Sequence, residues 1–363
     1  MPLYIDFNSY FASVEQQLNP GLRGKPIAVI PVETDSTCAI AASYEAKAFG
    51  IKTGTPIYEA KKMCRDLICV LANHEHYVEF HERILDEIDH HIPVTAVCSI
   101  DEMACSLMKN ERSVQRVTEI AQSIKAGIAK NLGEYVRCSI GVASSKYLAK
   151  VATDMKKPDG LTILQAEDLP KRLFELKLRD LPGIGHNMEK RINAAGIYDM
   201  QALMKLQPKH MRAVWGSIWG EKMWYYLRGF DLPDEETSRG SVGHGHVLAP
   251  EMRPPQKAYQ IAQRLTMKAA ARLRRMEYCA GKISLSVRVE KAVYRMQKRN
   301  GSNNRLMDRI YMVYRRDANF TNRDYYSARK TLWQVATADI DKPACAPRSC
   351  RLKYFPGCNL SCC

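Results

Sequence analysis

No apolar run in the 363-residue chain approaches the ~18 residues needed to cross a bilayer, so a helical membrane protein is excluded. The N-terminus, Met1-Pro2-Leu3-Tyr4-Ile5-Asp6, has no basic region followed by a long apolar one, so no secretory signal is read and the expected compartment is the cytoplasm. The first seven cysteines (Cys38, Cys64, Cys69, Cys98, Cys105, Cys138 and Cys279) show no C-x-x-C spacing. They read as reduced, mostly buried small hydrophobes. Acidic residues are scarce in the last third: residues 241–363 hold 8 Asp+Glu against 24 Lys+Arg, whereas residues 1–240 hold 31 against 30. A positive excess confined to one region points to a polyanionic partner such as nucleic acid. With 46% hydrophobic and 26% charged residues the chain is neither disordered nor collagen-like, and its length suggests two or three domains.

Strands and helices alternate up to about residue 165, which predicts a mixed α/β domain. Leu3 to Phe7 reads as a buried strand ending in a carboxylate, followed by a helix through Phe11–Leu18 that Asn19-Pro20-Gly21 stops. Pro26–Ile30 is a second strand. Tyr77–Ile92 and Ser113–Leu132 are amphipathic helices, the first with Val78, Ile84, Leu85, Ile88 and Ile92 at helical spacing, and Val94–Leu107 is extended. From 166 to 230 the pattern is helical and interrupted, and an acidic linker follows at Pro233–Gly240. Beyond it, Lys257–Glu277 reads as a helix and Lys282–Val289 as a strand with one basic, wet face. The last third is expected to be a small α+β domain.

Three carboxylates stand out: Asp6 at a strand end and the adjacent Asp101-Glu102 in an extended segment. Hard oxygen donors suit Mg²⁺, and two ions about 4 Å apart can clamp an in-line phosphoryl transfer. Neighbouring side chains on a regular strand point to opposite faces, so Asp101 and Glu102 can act together only near a turn or bulge. On the residues alone, the three acids serve as well as caps and surface groups. Likewise Leu181-Pro182-Gly183-Ile184-Gly185, with Ala195-Gly196-Ile197 at the next helix boundary, fits a phosphate-binding helix-hairpin-helix or an ordinary interhelical turn.

Taken together, Ile5–Glu15 (IDFNSYFASVE), Ser43–Gly54 (SYEAKAFGIKTG), Ser99-Ile100-Asp101-Glu102 and Lys150–Gly160 (KVATDMKKPDG) resemble, in family order, the motifs of the Y-family, or translesion, DNA polymerases. Leu181–Gly185 falls where that family has its thumb hairpin. The resemblance covers about residues 3–335 and is nearest the DNA polymerase IV and UmuC-like branches. It implies a multi-domain right-hand fold, α/β and α+β: palm (1–17 and 73–165), fingers (18–72), a helical thumb with a helix-hairpin-helix (166–232), a linker (233–241), an α+β little finger (242–337) and a divergent tail (338–363). It also implies template-directed, error-prone synthesis past damaged bases on primed DNA with dNTPs, and two Mg²⁺ ions held by Asp6, Asp101, Glu102 and the Phe7 carbonyl. Phe11 would be the steric gate against a 2′-hydroxyl, with Tyr10 lining the same pocket. Tyr44, Lys47 and Lys157 would contact the triphosphate, and Gly183 and Gly185 the DNA backbone. Arg264, Lys268, Lys282 and Arg288 would lie along the duplex. The rival reading is a catalytically weak or inactive polymerase-like accessory protein that binds DNA.

The sequence also departs from the family. Lys47 stands where polymerase IV relatives usually carry Arg, exchanging a bidentate clamp for a point charge. Ala41 replaces a Thr that helps hold the triphosphate there. From Ala336 onward the closing apolar strand is replaced by Asp339-Ile340-Asp341-Lys342-Pro343 and a tail with Cys345, Cys350, Cys358, Cys362 and Cys363. Their spacing matches no common zinc site. The resemblance also raises the sliding clamp as a further partner, though no clear C-terminal clamp-binding motif is present.

Overall fold

The computed structural model of the protein describes residues 1–233, 240–248, 250–289, 292–299 and 331–340. It divides into two compact units, Met1–Asp234 and Glu235–Cys363, within the stretch expected as linker. Among the described residues no helix is long and apolar enough to cross a membrane.

The first unit opens with β1 (Pro2–Phe7) and α1 (Tyr10–Leu18). A smaller layer follows: β2 (Ile27–Ile30), β3 (Ala41–Ala42), α2 (Tyr44–Ala48), α3 (Ile57–Met63) and β4 (Ile68–Leu71). Its strands lie in the order β3-β2-β4 over small residues such as Ala28, Ala42 and Ala46, which let the short helices come close. Next come α4 (His74–Asp89), β5 (Val94–Val97), β6 (Glu102–Ser106), α5 (Val114–Asn131), β7 (Cys138–Val142), α6 (Lys146–Met155) and β8 (Leu161–Ile163). With β1 they form a five-stranded sheet in the order β5-β6-β1-β7-β8, in which only β7 and β8 run parallel.

Two sequence expectations change here. α4 begins three residues earlier than its apolar spacing suggests, because the Asn73 side chain accepts the Glu75 N–H and caps it. Val78 then faces solvent, while Tyr77, Phe80, Ile84 and Ile88 are buried. The extended stretch Val94–Leu107 is not one strand but the β5–β6 hairpin, with Asp101 in its turn.

The period of two along β1 separates the faces of the large sheet. Leu3, Ile5 and Phe7 join Met103, Ile140 and the apolar stripes of α4 and α5 in one core. Tyr4 and Ala104 face the other way, into a second core with Leu148, Ala149, Val151 and Ala152 of α6. α6 is capped by Ser145, whose side chain accepts the Leu148 N–H. It crosses β7 at Gly141, where an added Cβ would sit 2.1 Å from the Ala149 carbonyl oxygen. Only a glycine permits so close a crossing.

A helical segment completes the unit: α7 (His186–Ala194), α8 (Met200–Met204), α9 (Pro208–Trp215) and α10 (Ile218–Tyr226). Ile192, Met200, Leu203, Met211, Trp215 and Met223 pack into the α6 core. The second unit contains β9 (Ser241–Val247), α11 (Pro255–Arg275), β10 (Ala280–Val289), β11 (Ala292–Arg299) and β12 (Thr331–Ile340). Its antiparallel sheet has the order β11-β10-β12-β9. β12 continues through Ala336 to Ile340, paired on both sides and three residues past the expected boundary at 337. A last strand is therefore present despite its polar residues, because backbone pairing needs no apolar side chain. The five tail cysteines lie outside the described residues.

Candidate active site

Asp6 stands next to last in β1 and is only 5% exposed. Its cross-strand partner is Glu102, the first residue of β6, so the two carboxylates share a sheet face. Asp101 sits in the hairpin turn and is exempt from strand alternation, which removes the obstacle to adjacent acids acting together. Several bonds fix that turn. The Phe7 N–H donates to the Asp101 carbonyl (2.9 Å), and the Cys98 and Ser99 N–H groups donate to the Glu102 carbonyl (2.9 and 3.1 Å). His81 Nδ1 lies 2.8 Å from the Ile100 carbonyl oxygen, and the Ser99 hydroxyl donates to Asp101 Oδ1 (2.6 Å).

The acids are spanned by lysines. Lys150 of α6 pairs with Asp6 Oδ2, with Glu102 Oε1 (2.9 Å) and with Asp154 Oδ2 (3.7 Å). Lys157 bridges Asp6 Oδ1 and Asp154 Oδ1, both at 2.8 Å. Tyr4, two residues before Asp6 on the same face, donates its hydroxyl to Glu102 Oε2 (2.8 Å). Burial raises the pKa of Asp101, and the charges of Asp6 and Glu102 raise it further, while the Ser99 bond opposes them. Burial alone would lower that of Lys150, but the Asp6 charge and hydrogen bond, helped by Asp154 and Glu102, more than reverse this and hold it above its usual value. Among the described residues no three His, Cys, Asp or Glu side chains form a ready-made metal cage. The donors themselves are carboxylates without a soft ligand among them, and they suit a hard divalent cation once the lysines move aside.

The other expected residues divide into two groups. Tyr44 and Lys47 lie on α2 beside the acids. Burial first, then the charges of Asp6 and Asp154, push Tyr44 up to about 12. Lys47 donates to the Ser9 hydroxyl (2.6 Å) and stands 4.5 Å from the Tyr44 ring centre. Desolvation and then the Lys157 ammonium lower its pKa. Phe11, half-buried, stacks on Tyr77 at 4.1 Å and 14°. Tyr10 corrects the expectation of a pocket residue: it is 3% exposed, gives its hydroxyl to the Tyr77 carbonyl (2.7 Å), and backs Phe11 from the core. Gly183 (φ +91°) and Gly185 are exposed at the start of α7 around the buried Ile184. Arg264 and Lys268 are exposed on α11, whereas the side chains of Lys282 and Arg288 lie outside the described residues.

Sequence reasoning missed Lys150, Asp154, Tyr4 and Asn8. Lys150 and Asp154 are one turn apart on an amphipathic helix, and Tyr4 is two residues from Asp6, so both pairs carried a periodic signal. Asn8 holds the turn after Asp6: its amide nitrogen donates to Ser139 Oγ (3.1 Å) and its Oδ1 accepts the Asp159 N–H (2.8 Å). Ser9 is left-handed there, at φ +50°, a strain the surrounding bonds sustain.

Residues 5–154 match the model of the impB/mucB/samB family, and residues 179–231 that of the DNA polymerase-iota thumb domain. DNA polymerase IV of Moorella thermoacetica is 33% identical over 292 residues, spanning 79% of this chain and 72% of that protein. DNA polymerase IV of Bacillus velezensis is 32% identical over 290 residues, or 78% and 69%. The chain belongs to the Y-family DNA polymerases. The same fold is seen in a solved Y-family polymerase chimera of Dbh and Dpo4, at 22% identity and a TM-score of 0.72 over 93% of this chain and 98% of that one. DinB from Sulfolobus solfataricus matches at 22% identity and a TM-score of 0.58, over 94% and 99%. In this Y-family chain the acids fall within the first family match and the Gly183 hairpin within the second.

Proposed function

We propose that this protein carries out template-directed, error-prone DNA synthesis past damaged bases, adding nucleotides from dNTPs to a primer 3′-hydroxyl. The observation that carries the reading is Asp6 and Glu102 paired across one sheet face, with Asp101 in the adjoining turn. Asp6, Asp101, Glu102 and the Phe7 carbonyl would hold divalent metal, two Mg²⁺ ions in this reading, which when bound activate the attacking oxygen and offset charge on the leaving pyrophosphate.

The chain's own residues supply the rest. Tyr44, Lys47 and Lys157 gather around the same acids and would receive the triphosphate as cations and hydrogen-bond donors. Phe11, held flat against Tyr77, offers a rigid aromatic surface to exclude a 2′-hydroxyl. Gly183 and Gly185 expose backbone at a helix start, where amides bind a phosphate without reading sequence. Arg264 and Lys268, with Lys282 and Arg288 nearby in sequence, place positive charge for the duplex. Primed DNA and dNTPs are the partners proposed.

Primer extension with Mg²⁺ and dNTPs, run beside Asp101→Ala, tests this. Template-following extension by the wild type and none by the variant is the expected result. Folded wild-type protein that shifts primed DNA but never extends it would instead establish the accessory role.

A further inference from the structure

We propose that Lys150 and Lys157 form an internal cationic lock on the acid cluster, so that a free divalent ion binds only by displacing them. The inference rests on the metal-site reading above. Asp6 has two carboxylate oxygens, and each is engaged by a different ammonium group: Oδ2 by Lys150 and Oδ1 by Lys157. Glu102 is equally committed, with Oε1 on Lys150 and Oε2 on the Tyr4 hydroxyl. The lysines do not meet these acids by chance of surface position. Side-chain exposures of 18% for Lys150 and 28% for Lys157 put both largely out of bulk water, where an ion pair is weakly screened.

Asp154 gives the lock a resting place of its own. It is not among the expected metal ligands, yet it contacts both lysines, Lys150 from the same helix face and Lys157 three residues on. Asp6, Asp101, Glu102 and Asp154 carry four negative charges against the two positive ones of Lys150 and Lys157, so the lysines cancel about half of the charge that would draw in a bare cation and occupy both oxygens of Asp6. A nucleotide triphosphate changes the balance. It offers the ammonium groups a more highly charged partner, and it can deliver a cation already bound to its phosphates. Lys150 and Lys157 are thus positioning residues that favour entry of the cation with the nucleotide over entry alone.

The test measures Mn²⁺ binding to the full chain by electron paramagnetic resonance, without DNA or nucleotide. Proteins compared are wild type, Lys150→Met, Lys157→Met, Lys150→Arg and Asp6→Asn. The methionine variants keep side-chain length and remove the charge. They should bind Mn²⁺ at least about tenfold more tightly than wild type, Lys150→Arg should resemble wild type, and Asp6→Asn should lose binding. Melting in EDTA adds a second readout: Lys150→Met should melt lower than wild type, and Mn²⁺ should restore it. If Lys150→Met does not fold, Lys157→Met carries the same comparison. Unchanged or weaker Mn²⁺ binding in the methionine variants, with loss in Asp6→Asn, overturns the lock and leaves the metal site standing. No Mn²⁺ bound by any of them, even with primed DNA and dNTP added, overturns the metal site and the lock together.

Discussion

Gly141→Ala tests whether the crossing of α6 over β7 sets the active-site geometry. The added methyl would lie 2.1 Å from the Ala149 carbonyl oxygen, 2.6 Å from the Thr153 nitrogen and 2.9 Å from the Ala152 Cβ. The first two are helix backbone, so no side-chain rotation relieves the clash, and α6 must lift by about 1 Å to restore ordinary contact. Overpacking of this kind costs about 1–3 kcal/mol. The same displacement carries Lys150 and Asp154 away from Asp6, and a shift of about 1 Å typically costs about 10²-fold in rate. Urea unfolding and single-nucleotide incorporation measure the two effects separately. Gly185→Ala is the stability control, since nothing lies within 4 Å of its added methyl and its φ is −83°. Its stability should stay within about 0.5 kcal/mol of wild type. Wild-type stability and wild-type incorporation in Gly141→Ala would refute the claim that this contact seats α6.

Phe11→Ala should raise ribonucleotide incorporation relative to deoxynucleotide by about 10²-fold, and lose about 1 kcal/mol of stacking on Tyr77. Equal sugar selectivity in competition assays would remove Phe11 from the pocket. Gly183→Ala forces a side chain onto φ +91° and should cost about 1–2 kcal/mol in unfolding, with primed-DNA affinity falling in fluorescence anisotropy. An unaltered affinity would detach that hairpin from DNA. Glu87 on α4 gives a pH test. Burial pushes its carboxyl up, but hydrogen bonds donated by Asn131 (2.7 Å) and by His91 Nε2 (3.0 Å) outweigh this and hold it below its usual value. A depressed acid stabilises the fold above its unfolded pKa and loses that contribution as pH falls through the folded one. Glu87→Gln should therefore cost about 1 kcal/mol at neutral pH, and the difference should close below about pH 4. A gap that persists in acid would contradict the assignment.

Much of the fold was legible because β1 is a short apolar run and α5 carries a clean helical period, while α4 was recognised from its apolar spacing with its start and Val78 misplaced. The three acids were legible as individual residues, but their convergence was not. Asp6 meets Glu102 through a strand register nearly a hundred residues apart in sequence, and Asp101 escapes alternation through a turn that the single extended reading of Val94–Leu107 conceals. Tyr10 was misjudged because aromatic residues beside a strand end look alike whether they face a pocket or the core. Only the Tyr77 carbonyl, contributed by α4, decides it. β12 was missed for the opposite reason: its polar end carries no apolar signal, and its place between β10 and β9 rests on main-chain pairing.

α6 contacts both the hairpin and the acids. The helix is ten residues long, about 15 Å, and its ends serve different parts of the first unit. At its start the Lys146 N–H donates to Asp231 Oδ1 (3.1 Å), while Tyr147 gives its hydroxyl to the Pro182 carbonyl (3.0 Å) and stacks on Tyr226 at 5.3 Å. Pro182 immediately precedes the exposed Gly183. One turn later Lys150 reaches Asp6 and Glu102, and a further turn brings Asp154 to both lysines. A packed helix of this length moves as a rigid body, because its backbone bonds are internal and its buried face interlocks with β7. One packed helix therefore joins the residue before the hairpin to the carboxylates, and the close crossing at Gly141 fixes its height on the sheet between those two ends.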